Sequence, residues 1–220
     1  MTTASSGSAR ALWLHLTRFA APCGLIATGT PFLTDRQPHP APALLIARAI
    51  ALAAIFARFY FGDSGMFIEE GRLTSPEMRR DSQENPLSAA LLLLQPACLA
   101  LCGFAIPSQS GLAFPVLSWA ALAFNVLWLF VRQQRYLKVL STLGPGHPDM
   151  KEIVRVCRYM SVWYVNNVIF LLVSLAIAYV AARWTLPHAA LVYCGAILLS
   201  SLVDWRLTRA VYRSSGTGSV

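Results

Sequence analysis

Apolar residues along this chain gather in long unbroken blocks, and polar residues collect at the block ends instead of along one helical face. Blocks 87–106, 112–131 and 159–182 hold no charged residue, and block 187–203 holds none before closing on Asp204. A helix needs about 20 apolar residues to cross a hydrocarbon core of about 30 Å, where only internal hydrogen bonds can satisfy the backbone. These four blocks therefore predict transmembrane helices. Blocks 11–32 and 43–61 are as apolar on average, but the first carries His15 and Arg18 and the second Arg48 and Arg58. An arginine at mid-depth costs at least about 2.5 kcal/mol on insertion scales, so each block reads either as a tilted span with a snorkelling arginine or as a helix lying in the interface. The predicted fold is all-α: a polytopic helical membrane protein with four strong spans and two N-terminal arginine-bearing helices. It forms one domain over 1–212, followed by a Ser/Gly/Thr-rich tail at 213–220 that reads as disordered.

Composition agrees with lipid as the main solvent: 56% of the 220 residues are hydrophobic and 13% are charged, against about 25% charged in ordinary soluble domains. The net charge of +8 does not point to nucleic acid, because the cations sit at the ends of apolar runs and not on one polar face. They follow the positive-inside pattern instead. Thirteen Lys and Arg fall in the N-terminus, segment 62–86, loop 132–158 and the tail, against two (Arg36 and Arg183) in the alternate loops. This bias puts both termini and the two basic loops on the cytosolic side.

Within loop 132–158, Pro148-Asp149 with Glu152 three residues on resembles a capping box, and Ile153, Val156, Cys157 and Met160 recur at helical spacing. An amphipathic helix is predicted to begin near Asp149 and enter the third strong span. Its cations Lys151, Arg155 and Arg158 join Arg18, Arg48 and Arg58 as candidate interfacial groups. Segment 62–86, the most polar of the chain, reads as a solvated loop or a short surface helix.

Candidate chemistry is sparse. Cys98 and Cys102 share a helix face, but no His or carboxylate accompanies them, and the histidines lie in loops or near block ends, so packing explains the thiols better than a metal or haem does. Motifs for hydrolase, metalloprotease or nucleotide chemistry are absent from the sequence, and the expectation is a protein that is not an enzyme and needs no cofactor. The polar groups nearest mid-membrane are Asn125, Asn166, Asn167 and Asp204. They suit either interhelical hydrogen bonding or, in the alternative reading of a small transporter or channel, the lining of a path.

Short stretches resemble the transmembrane protein thirty-three family of the endoplasmic reticulum and nuclear envelope, with its fungal pore-membrane relatives. They are Ala11-Leu12-Trp13-Leu14 with Cys23 downstream, Phe114-Pro115-Val116-Leu117, and Asn167-Val168-Ile169-Phe170-Leu171 followed by Pro187, Tyr193 and the pair Ser200-Ser201 before a basic stretch. The resemblance implies a non-enzymatic reticulum protein that associates with reticulon-type membrane-shaping partners and organises membrane. Family members continue into a longer cytosolic region, whereas this sequence stops soon after Trp205. A homo-oligomer is compatible with the reading. Very short turns at 107–111 and 183–186, with shallow arginine-bearing helices on the cytosolic side, would add area to that leaflet.

Overall fold

The computed structural model describes residues 41–71, 86–108, 112–144, 146–184 and 188–214; block 11–32, with Arg18, lies outside them. They form five helices: α1 (Pro42–Gly71), α2 (Pro86–Ala105), α3 (Ala113–Thr142), α4 (Met150–Trp184) and α5 (Ala189–Ser214). No strand occurs among the described residues. Proline opens both α1 and α2 at the first helical position, where its missing N–H has no partner to lose. Pro115, in the first turn of α3, is tolerated for the same reason.

Four helices are long and apolar enough to cross a membrane, over Pro42–Phe59, Ala113–Thr142, Met150–Val180 and Ala189–Leu207; α2 contributes the shorter apolar stretch Leu93–Ala105. The chain is an all-helical membrane protein. Neighbouring helices pack as α1 on α5, α5 on α4, α4 on α3 and α3 on α2, with lighter contacts from α1 to α2 and α4. The buried layer between them includes Ile55 and Phe59 of α1, Cys102 of α2, Trp128 and Leu129 of α3, Met160 and Trp163 of α4 and Ile197 of α5. Outward faces carry large apolar side chains such as Phe104, Leu172, Tyr179 and Leu199, the surface that acyl chains cover in a bilayer.

Several boundaries differ from the sequence expectation. Block 43–61 is the core of one long helix that continues through Gly71, taking residues 62–71 of segment 62–86 out of the loop class. Gly62 is buried, and a Cβ there would occupy the space of the Trp163 indole, so the α1 backbone at that point lies directly against this side chain of α4. Much of loop 132–158 is helical as well: α3 runs to Thr142, and α4 starts at Met150, with Ile153 N–H donating to the Asp149 carbonyl at 2.9 Å. Between them the chain turns over a few residues, with Gly146 at φ 93°, a left-handed value that glycine adopts without strain. α5 runs to Ser214, two residues into the stretch read as disordered; the rest of the tail lies outside the described residues.

Candidate functional site: a polar seam across the bundle

Arg48 and Arg58 stand ten residues apart on α1, about 15 Å along its axis and about 80° apart around it, so they meet different neighbours at two depths. Neither snorkels. Arg48 is 1% and Arg58 7% exposed, and each finds acceptors inside the protein that remove the need to reach water.

The Arg48 Nη1 donates to the carbonyls of Ala105 (3.4 Å), Ile106 (2.8 Å) and Ser108 (2.8 Å). These carbonyls belong to the last turn of α2 and the chain just beyond it, where a helix has no N–H left to offer them and where its dipole is negative. A cation delivered from α1 thus caps α2.

Ten residues on, the Arg58 Nε lies 3.4 Å from Asp204 Oδ2, and its Nη1 donates to the Ser200 hydroxyl at 2.9 Å. From the third side, the Asn166 amide of α4 donates to the Ser200 carbonyl (3.2 Å) and approaches Asp204 Oδ1 (3.5 Å). Asp204 is therefore no exit-end carboxylate reaching for solvent: it is 3% exposed, with Arg58 and Asn166 on it.

The neighbouring residue Asn167 turns the other way and donates its amide to Asn125 Oδ1 of α3 at 2.7 Å. Successive residues on a helix point about 100° apart, so adjacent asparagines can serve two different neighbours. The four polar positions singled out from sequence fall into two pairs, joined back to back on α4. With Arg58 and Ser200 they make a seam that runs from α3 through α4 and α5 to α1.

No family model, curated protein or solved structure matches the chain.

Other polar contacts were not foreseen. The Ser118 and Tyr193 hydroxyls lie 2.8 Å apart and each sits 3.1 Å from the Pro115 carbonyl, tying α3 to α5. Gln133 of α3 donates to the Ser161 hydroxyl of α4 at 2.6 Å, and the Arg132 guanidinium sits 5.0 Å from the Trp128 ring centroid. Gln95, next to Pro96 in α2, is 1% exposed, and neither of its amide atoms has a hydrogen-bond partner among the described residues. The sequence does contain a signal for the ion pair: the arginines of block 43–61 and the acid closing the last block are opposite charges in different spans, and each is costly until paired.

The remaining candidates lie at the α3–α4 end. Lys151 and Arg158 are exposed, while half-buried Arg155 pairs with Glu152. Cys98, Cys102, Cys157 and Cys194 are buried free thiols, and no group of three or more His, Cys, Asp or Glu among the described residues is placed to hold a metal ion.

Proposed function

We propose that this protein is a non-enzymatic membrane organiser: a helical bundle that holds a fixed shape in the bilayer and presents its polar ends to partners. The observation that supports this reading is the pairing of mid-membrane polar groups with one another, Asn167 with Asn125, Asn166 with Ser200, and Arg58 with Asp204. Groups consumed in interhelical bonds make a bundle specific and hold its helices together. The resemblance to the transmembrane protein thirty-three family adds the finer terms: residence in the endoplasmic reticulum and nuclear envelope, reticulon-type partners, and both termini in the cytosol as the Lys and Arg bias indicates. Because α1 packs inside the bundle, a shallow helix at 43–61 acting as a wedge in one leaflet is not part of the proposal.

Imaging of the endogenously tagged protein, with pull-down from the same cells, tests it. Enrichment at reticulum tubules and the nuclear rim together with a reticulon-type partner is the expected result; a plasma-membrane or bacterial inner-membrane location without such partners removes the reading.

A second reading, a small transporter, is favoured by one set of atoms. Among the described residues, Gln95 has both amide atoms unpartnered in the interior, and Asn125 Nδ2 and Asn167 Oδ1 keep unused capacity beside their shared bond. Replacing Asn166 and Asn167 with Leu separates the two: flux in proteoliposomes disappears in a transporter, whereas a scaffold keeps its location and its partners.

A further inference from the structure

α3 and α4 are longer than a bilayer requires. At 30 and 35 residues they extend about 45 and 52 Å, against a hydrocarbon core of about 30 Å. The excess lies at the end where the two helices are joined, and the outer faces of both can be followed from one solvent into the other.

On α4, exposed Ile169 and Val165 face lipid; seven and then fourteen residues before Val165, the same stripe presents Arg158 and Lys151, with exposed Val154 between them. On α3, exposed Leu127 and Phe130 are continued by exposed Gln134, Leu137 and Lys138. A helix of 3.6 residues per turn keeps such positions on one face. The Phe130 and Tyr164 rings, with centroids 6.4 Å apart, join the two outer faces where they leave the hydrocarbon.

Arg158 and Lys138 therefore stand about 10 to 12 Å beyond Val165 and Phe130, directly above the acyl chains those residues touch, and Lys151 stands about 10 Å farther out. Among the described residues, the nearby acids do not neutralise them. Asp149 is buried at the start of α4, and Glu152 is paired with Arg155. Among the described side chains, what remains outward here is cationic, interleaved with Leu137 and Val154.

We propose that Lys138, Arg158 and Lys151 form a binding surface for an anionic phospholipid of the same leaflet, its phosphate and acidic headgroup held by the three cations and its chains lying along the outer face of α3 and α4. The proposal deepens the membrane placement argued above and rests on it. Juxtamembrane cations each contribute about fivefold in affinity for an anionic surface, falling off with distance, so Lys151 contributes least and the three together about a hundredfold.

The test is native mass spectrometry of the full chain in detergent, titrated with phosphatidylserine or phosphatidylcholine. The expected result is a clear preference for phosphatidylserine, reduced about a hundredfold in the triple variant K138Q/K151Q/R158Q. A charge-keeping variant, K138R/K151R/R158K, retains the preference, and circular dichroism shows both variants folded. Equal uptake of the two lipids by the native chain, or an unchanged preference in the triple Gln variant, overturns the proposal, as does displacement of the lipid by millimolar inorganic phosphate, which would make this a site for free anions. A carbonate wash of native membranes keeps the two levels apart: a chain that stays in the membrane but shows no lipid preference refutes only the lipid surface, whereas a chain released by the wash refutes the membrane placement itself.

Discussion

Arg58 and Asp204 show how two expensive residues become tolerable. Each alone is a charge in a medium that cannot solvate it; together, with Ser200 and Asn166 supplying further hydrogen bonds, they form a compensated group. Removing one partner is far worse than removing both. Asp204→Leu is expected to destabilise the bundle by about 3 to 5 kcal/mol, and the double variant Arg58→Leu/Asp204→Leu to recover most of that loss, as read by thermal unfolding in detergent. The Asn125 and Asn167 bond belongs to a weaker class: Asn167→Leu is expected to cost about 0.6 kcal/mol and no more than about 1.7. A loss at Asn167 as large as that at Asp204 would mean that the asparagines do more than join helices. Asn125, Asn166, Asn167 and Asp204 were all legible in the sequence, because a polar residue stands out in an apolar block. Their pairing was not, since partners on different helices leave no trace in linear spacing. Arg48 and Arg58 were visible for the same reason, and their partners were hidden for the same reason: a one-dimensional pattern shows that a charge needs relief, not whether water or a neighbouring helix supplies it.

Among the helices, α1 meets α4 through a glycine seated on an indole. A methyl group at Gly62 has no space beside the Trp163 ring, so Gly62→Ala must push α1 and α4 apart or force the indole off its rotamer. A loss of about 1 to 3 kcal/mol is expected, and Gly62→Ala combined with Trp163→Leu is expected to regain part of it, measured by the same unfolding transition. A single variant that unfolds like the native chain would mean that this contact gives way easily. Block 87–106 was readable to within a residue as the helix Pro86–Ala105, although its apolar stretch is the shorter Leu93–Ala105 and block 43–61 supplies one of the four span-length helices in its place. Helix ends beyond the hydrocarbon were not. Hydropathy falls at Arg132, yet α3 continues for ten more residues, because Tyr136 and Val139 still face inward while Gln134 and Lys138 face out. A helix leaving lipid changes its outer surface before it changes its backbone. The start of α4 was more legible, since Pro148-Asp149 is a local signal whose physics lies within one turn.

On the scale of the whole molecule, the two arginines of α1 contact opposite ends of the chain's order: Arg48 caps the α2 end formed next, and Arg58 pairs with a carboxylate on the last described helix. Spatial contact thus joins what synthesis separates. While the ribosome is still making α5, α1 lacks the Asp204 carboxylate and Ser200 hydroxyl that its Arg58 binds, which disfavours its release into lipid. Stable integration of the first described helix is then a late event, governed by the arrival of Asp204. Chains truncated before α5 are expected to leave α1 extractable by carbonate or subject to rapid degradation, whereas the same truncation carrying Arg58→Leu integrates α1 without waiting. Quality control of this protein would in that case depend on the Arg58–Asp204 ion pair, whose formation reports that synthesis has reached α5.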